Sequence, residues 1–539
     1  MQLSESAHVD TFCRDHLPPA DTWPDLVFDL PELQYPDRLN CAVELLDATI
    51  ERHGPDRPCL LSPAGERWTY GDLARRVRQV AGLLVVEHGL VPGQRVLLRG
   101  PNTPWLVACW FAVLRAGGVV VTTMPLLRAG ELRTVHEIAR LDLALCDARF
   151  VDDLAEAELD VPTLLYAGDA DDDLVARAEA RAPEHEAVDT AADDVALLAF
   201  TSGTTGRPKA TMHFHRDVLA NADTFSRHVL KPLPDDVFTG TPPLAFTFGL
   251  GGLVVFPLRV GASSLLVERA TPDQLADLVH EHGVTVCFTA PTAYRAMIAS
   301  GRLDRLGSLR RCVSAGEHLS ASTWQAFYEA TGVRIIDGLG STEMLHIFVS
   351  ASDDDIRPGS TGRPVPGYQA CVLDPLGDPV PPGTVGRLAV KGPTGCRYLD
   401  DPRQGVYVQN GWNVTGDTYV QDEDGYLWYQ ARSDDMIISS GYNIAAPEVE
   451  EALMSHPDVT EVAVIGTADE ARGQLVTAYV VLRDGCARDD AQRAALQDHV
   501  KAVIAPYKYP RALHFVDELP RTSTGKLQRF RLRQPETSA

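Results

Sequence analysis

Short apolar runs alternate along the chain with segments of helical period. Arg95–Arg99 (RVLLR), Val195–Phe200 (VALLAF), Val284–Thr289 (VTVCFT), Arg311–Ser314 and Val333–Ile336 read as buried strands. Each is a brief apolar run bounded by polar or glycine-containing residues. Thr271–Gly283 (TPDQLADLVHEHG) reads as a helix. Thr271 is its expected N-cap, Leu275, Leu278, Val279 and His282 share a face, and Gly283 ends it. Such alternation predicts a large α/β body with functional loops at strand ends. Residues 168–194 are acidic and alanine-rich and read as a surface helix and loop. The pattern changes near residue 432. Beyond Arg432-Ser433-Asp434-Asp435, Pro447 marks a helix start, 459–465 and 475–482 read as strands, and 490–503 reads as a helix. That is enough chain for a small separate domain. The expected division is 1–432 and 433–539.

Composition narrows the function classes. The 539 residues are 45% hydrophobic and 23% charged, as in ordinary globular proteins. A net charge of −25 argues against nucleic acid or an anionic membrane as partner. An anionic ligand must then be held by local donors. The first residues, MQLSESAHVDTF, lack the basic and apolar regions of a secretion signal, and the longest apolar runs are too short to span a bilayer. Ten scattered cysteines, none in a Cys-x-x-Cys pair, fit reduced, mostly buried thiols. A cytoplasmic enzyme is the expectation.

Phe200–Ala210 (FTSGTTGRPKA) concentrates hydroxyls, glycines and a lysine directly after an apolar strand. Glycines let backbone N–H groups approach an anion, and hydroxyls and a lysine add donors and charge. A strand feeding such a loop suits phosphate binding. It is no Walker A loop: Pro208 precedes Lys209, Ala210 follows it, and no Gly-Lys-Ser/Thr ending is present. A polar turn without a ligand is the alternative reading of this loop alone.

Further stretches follow in order: PPLAFTFGLGG at 242–252, SAGE at 314–317, DGLGSTE at 337–343, TGD at 415–417, RSDDMIISSGYN at 432–443 and PRTSTGKLQR at 520–529. Together they resemble the acyl- and aryl-adenylate-forming superfamily of acyl-CoA synthetases, luciferases and adenylation domains, over nearly the whole chain. GSTEMLHIF (340–348), MHFHRD (212–217) and the stretch from Ser6 to Asn40 are similar to benzoate-CoA ligases, above all 2-aminobenzoate-CoA ligases. The resemblance implies an α/β body with a small mobile C-terminal α+β domain.

It also implies an activity. A benzoate is a poor acylating agent; attack of its carboxylate on the α-phosphorus of ATP gives an acyl-adenylate with AMP as leaving group. Two anions must meet, so catalysis is mostly positioning and charge neutralisation. By the family match, Thr201, Ser202, Gly203, Thr204, Thr205 and Lys209 hold the ATP phosphates. Glu343 binds magnesium, a hard cation suited to a carboxylate oxygen. Gly338, Leu339, Ser341 and Thr342 border the nucleotide, and Asp417 and Arg432 hold the ribose. Lys526 bridges the acid and the α-phosphate in the first half-reaction. Asp434 is the hinge about which the small domain turns, bringing the face that carries Gly441 for attack by a thiol, usually coenzyme A. The acid pocket is Ala245, Phe246, Thr247, Phe248, Ala315, Gly340, His346 and Ile347. His213 and His215 are expected to pack only.

The sequence departs from the pattern at Leu339, where many relatives have an aromatic residue, and at Gln430-Ala431-Arg432, which lacks the usual glycine. Thr247 and Phe248 stand where benzoate ligases tend to have alanine and tyrosine. An ortho-substituted benzoate of the anthranilate, hydroxyanthranilate or salicylate type is the expected substrate, and a homodimer is compatible with this reading. Two alternatives stay open: an aryl-adenylating enzyme serving a carrier protein, amine or hydroxyl, and an inactive adenylate-binding protein, against which Lys209, Glu343, Asp417 and Lys526 speak.

Overall fold

The computed structural model describes residues 3–168, 170, 173–201, 208–432, 436–439, 442–469, 473–504, 508–521 and 527–533. The chain divides into two compact units, Met1–Ala370 with Val390–Asn413, and Cys371–Ala389 with Val414–Ala539. The expected joint at 432–435 lies within the second unit, and residues 433–435 are outside those described.

The first unit carries two sheets. One runs in the order Thr163–Tyr166, Leu143–Asp147, Arg95–Arg99, Val119–Thr123, Val195–Thr201, Lys209–Phe214. Its pairs are parallel except the last, an antiparallel hairpin. RVLLR is buried at every position, as a strand covered on both faces should be. Its terminal Arg99 is tolerated there because its guanidinium donates to the carbonyls of Phe150, Met124, Pro125 and Leu127. The second sheet has at its centre the parallel strands Val237–Gly240, Val286–Thr289, Arg311–Ala315 and Ile335–Gly340, with Ile347–Ser350 antiparallel to the last.

The helix read at 271–283 forms at Pro272–His282. Thr271 Oγ1 accepts from Gln274 N, Gln274 reaches back to the Thr271 amide, and Gly283 ends the helix at φ 61. Its buried face is Leu275, Ala276 and Val279, with Leu278 and His282 only half-buried.

Two stretches carry more regular structure than the sequence reading assigned them. Residues 247–260 are helical throughout. Gly251 and Gly252 serve close packing inside that helix: a Cβ at Gly251 would lie 2.3 Å from His346 Cδ2, and one at Gly252 2.5 Å from the Phe288 ring. The strand expected at 333–336 starts at Ile335 and continues to Gly340. Gly338 makes room for Ile347, whose Cδ1 would be 2.5 Å from a Cβ there.

A third sheet is built from Gln369–Leu373, Val385–Lys391, Val408–Gln409, Trp412–Gln421 and Leu427–Arg432, and the second unit contains a sheet built from Met436–Ser439, Tyr442–Ala445, Val459–Asp469, Gly473–Leu482 and Ala512–Phe515. Helices Ala446–Met454 and Asp490–Val503 add Val449, Leu453, Leu496 and Val500 to its core. All ten cysteines are free thiols. Among the described residues no helix is long and apolar enough to cross a membrane.

Candidate active site

The hairpin Val195–Thr201/Lys209–Phe214 pairs Thr201 with Lys209 at the mouth of the glycine-rich loop. Ser202, Gly203, Thr204 and Thr205 lie outside the described residues. Thr201 Oγ1 is buried and has no hydrogen-bond partner among the described residues. Successive residues of a strand point to opposite faces. Ala210, Met212 and Phe214 enter the hydrophobic core, so Lys209, Thr211 and His213 face the other way.

Residues 397–399 run beside this strand. Met212 N donates to Arg397 O at 2.8 Å, Leu399 N to Ala210 O at 2.9 Å, and Thr211 bridges to Tyr398. This puts the Tyr398 phenol between two charges. Lys209 Nζ donates to Tyr398 Oη at 2.6 Å, and Tyr398 Oη donates to Glu343 Oε1 at 2.5 Å. Lys209 Nζ is 3.6 Å from the same carboxylate oxygen. Burial and the Glu343 charge push the Tyr398 pKa up, so the phenol stays protonated.

Glu343 sits in the turn after the strand Ile335–Gly340. His213 Nε2 lies 2.8 Å from Thr342 O, and Met344 N donates to Ser341 O at 3.3 Å. Leu345 closes the turn at φ 68, a left-handed conformation that strains a branched side chain. Ser341 Oγ is 3.2 Å from Tyr407 Oη. Among the described residues no three His, Cys, Asp or Glu side chains gather as a metal cage. One half-satisfied carboxylate is what magnesium needs when phosphates and water supply the remaining ligands, so Glu343 fits that cation.

His346, beyond the turn, is 3% exposed and ringed by Phe256, Phe225, Phe248 and Phe288, with centroids at 4.6, 5.5, 5.6 and 6.4 Å. Burial lowers its pKa to about 3, with the Phe248 backbone pulling weakly the other way. Among the described residues neither ring nitrogen makes a well-formed hydrogen bond. The ring is a neutral imidazole with unused donor and acceptor capacity. Ala315 pairs with Gly338, and Gly340 with Ile347, on the adjoining strand ends. Ala245, Phe246 and Thr247 line a small hollow with Trp110, Leu197 and Leu250. Of the eight expected pocket residues, three line that hollow, Phe248 and His346 are in ring contact, and Ala315, Gly340 and Ile347 lie at the adjoining strand ends.

Leu339 continues that strand, two residues after Asp337. Asp337 is half-buried, its shielded Oδ1 has no partner among the described residues, and desolvation raises its pKa well above the carboxylate range. It lines a second hollow with Leu319, Trp324 and Ile335. In the second unit, Asp417 pairs in register with Arg432 across two antiparallel strands, and its amide donates to Thr415 Oγ1 at 3.2 Å. Lys526, Asp434 and Gly441 lie outside the described residues.

Sequence reasoning missed Tyr398, Asp337, Phe225, Phe256 and Phe288. Asp337 carried a local signal, an acid at the end of an apolar run. Tyr398 and the phenylalanines carried none, because their partners are far away in the chain; Lys209 and Tyr398 are 189 residues apart. His213 and His215 are fully buried, the first in a strand and the second at a helix start.

Residues 46–397 match the AMP-binding enzyme family, and residues 448–526 match the AMP-binding enzyme C-terminal domain. The chain is 36% identical over 516 residues to a benzoate–CoA ligase of Thauera aromatica, covering 93% of this chain and 97% of that one. Among solved structures it is similar to the anthranilate CoA ligase AuaEII in complex with anthranoyl-AMP, at 33% identity and a TM-score of 0.87, covering 94% and 98% of the two chains. It is also similar to the amide bond synthetase McbA from Marinactinospora thermotolerans, at 28% identity and a TM-score of 0.81, covering 93% and 99%.

Proposed function

The chain belongs to the AMP-binding enzyme family, and from that premise we propose that it activates an ortho-substituted benzoate with ATP and transfers the aroyl group to coenzyme A. It is an acid–thiol ligase by class. The observation that carries the substrate reading is His346, a neutral imidazole in a cage of four phenylalanines whose ring nitrogens make no well-formed hydrogen bond among the described residues. A flat aromatic acid suits apolar walls, and an amino or hydroxyl substituent suits one unused polar group. Thr247 offers a second hydroxyl at the start of its helix. The similarity to an anthranilate CoA ligase supports the same class.

In the first half-reaction the aryl carboxylate attacks the α-phosphorus of ATP and pyrophosphate leaves. Thr201, the loop 202–205 and Lys209 would hold the β- and γ-phosphates. Glu343 would hold magnesium, which offsets phosphate charge when bound. Asp417 and Arg432 would fix the ribose, and Gly338, Leu339, Ser341 and Thr342 would border the nucleotide. Lys526 would neutralise the meeting anions and then withdraw with the small domain about Asp434. Thiol attack on the aroyl carbonyl then expels AMP.

The test is acid-dependent ATP–pyrophosphate exchange over a panel of substituted benzoates, repeated with coenzyme A. Exchange should be strongest with anthranilate or salicylate types, and aryl-CoA should appear once the thiol is added. Exchange confined to aliphatic acids would overturn the substrate reading. The similarity to an amide bond synthetase supports one rival, transfer to an amine. Amide without aryl-CoA would favour that acceptor.

A further inference from the structure

Tyr398 stands between two groups that the proposed function uses. A direct charge-assisted contact between ammonium and carboxylate closes to about 2.7–2.9 Å. Lys209 Nζ and Glu343 Oε1 are instead 3.6 Å apart, with the phenol hydroxyl bonded to both. The ring is held where it is. Its backbone bridges to Thr211, its amide donates to Gln404 Oε1 at 2.9 Å, the side chain is fully buried, and the Tyr407 ring packs edge-on at 6.0 Å. Gln404 is itself fixed, because Nε2 donates to Thr22 O and Cys396 O.

We infer that Tyr398 is a positioning residue for the divalent cation. By donating to Glu343 Oε1 it fixes the plane of the carboxylate, leaving Oε2, which has no hydrogen-bond partner among the described residues, as the coordinating oxygen. By accepting from Lys209 it keeps the ammonium from closing on that carboxylate. Removing the hydroxyl lets Lys209 neutralise Glu343 in place of the cation. Losing the hydrogen-bond partner of a ligating carboxylate typically weakens metal binding about 10- to 100-fold. The inference rests on the reading of Glu343 as the magnesium ligand.

Calorimetric titration of the full chain with ATP, without aryl acid, and with and without magnesium, gives the factor by which magnesium strengthens nucleotide binding. Tyr398→Phe should cut that factor by about 10- to 100-fold while the variant still unfolds cooperatively. Tyr398→4-aminophenylalanine, which keeps a donor at the same ring position, should restore most of it. Glu343→Gln should lose the factor too, and the double variant Tyr398→Phe/Glu343→Gln should lose no more than Glu343→Gln alone. If Glu343→Gln keeps the factor, the reading of Glu343 as ligand fails. If Glu343→Gln loses it and Tyr398→Phe keeps it, the Tyr398 inference alone fails. Additive losses in the double variant, or no recovery with the aminophenylalanine, would also overturn it.

Discussion

Arg397 and Tyr398 follow one another on a short extended segment, so their side chains leave it on opposite faces. Arg397 pairs with Asp217, and both side chains are fully buried. The guanidinium is covered by the Phe214 ring at 4.1 Å and the Trp23 ring at 5.6 Å. Tyr398 joins Lys209 and Glu343, whose side chains are 17% and 9% exposed. Each cluster holds one cation and one carboxylate, and they differ in closure. The first is sealed by rings, with His213 and Arg216 beside it, so its charges are answered within the fold. The second is bridged by a neutral hydroxyl and reached by solvent, so its charges remain available to a ligand. Neighbouring residues thus divide between a sealed pair and the cluster proposed to serve chemistry, and side-chain exposure tells the two apart better than charge does.

The largest expected effect falls on the sealed pair. Asp217→Asn leaves the Arg397 charge buried without its counter-ion, which typically costs 3–5 kcal/mol of stability. Denaturant unfolding measures it. A variant that keeps wild-type stability yet loses activity would break the comparison, because Asp217 would then belong to the chemistry.

Next comes the open cluster. Glu343→Gln should cost less stability than Asp217→Asn, because Lys209 keeps contact with solvent, and lower the adenylation rate about 10²- to 10³-fold. Pyrophosphate exchange with an aryl acid at saturating magnesium reads the rate. An unfolding midpoint that falls as far as for Asp217→Asn would make the two clusters equivalent. Lys526→Ala sharpens the same contrast in time. It should slow adenylate formation about 10²-fold, the scale of losing one electrostatic stabiliser, and leave thioester formation from preformed aryl-adenylate near wild type. Equal losses in both half-reactions would remove the lysine from its proposed place in the first.

The two clusters were unequally legible in the sequence. Lys209 lies in a stretch whose composition points to phosphate binding, and Glu343 in one whose family resemblance implies the metal role. Tyr398 and the Asp217–Arg397 pair do not, since an isolated tyrosine, aspartate or arginine is ordinary until strand pairing brings 397–399 against 210–212. Local signals served elements well. Thr271 with Gln274 and Gly283 marks both ends of one helix, because capping is a contact between near neighbours. The same logic failed at Gly251, Gly252 and Gly338. There glycine looked like loop chemistry but answers to His346, Phe288 and Ile347, residues 9 to 95 positions away that only the folded chain brings close.

His346 is a third case, a buried titratable group with no acidic partner among the described residues. Its pKa, lowered by burial from 6.5 to about 3, means that the native state refuses a proton that the unfolded chain accepts. Between pH 6.5 and about 3 the unfolded state therefore binds more protons, and stability falls as pH falls. Asp217 titrates in a lower window. Burial penalises its charge, but Arg397, His213 and Arg216 together outweigh that penalty and hold its pKa below 3.8. The stability it supplies is present above that value and is lost only as pH falls through its native pKa. His346→Leu should separate the two. Leucine takes up no proton, so the variant's stability relative to wild type should improve on acidification by about 1.4 kcal/mol per pH unit from pH 5.5 to 4, on top of a constant packing difference. Urea unfolding at four pH values gives that slope. A pH-independent difference would mean that His346 takes up its proton in the native state and has a partner that its ring of phenylalanines hides. The imidazole would then belong with the open cluster, and its reading as an unused polar group facing the aryl acid would fall.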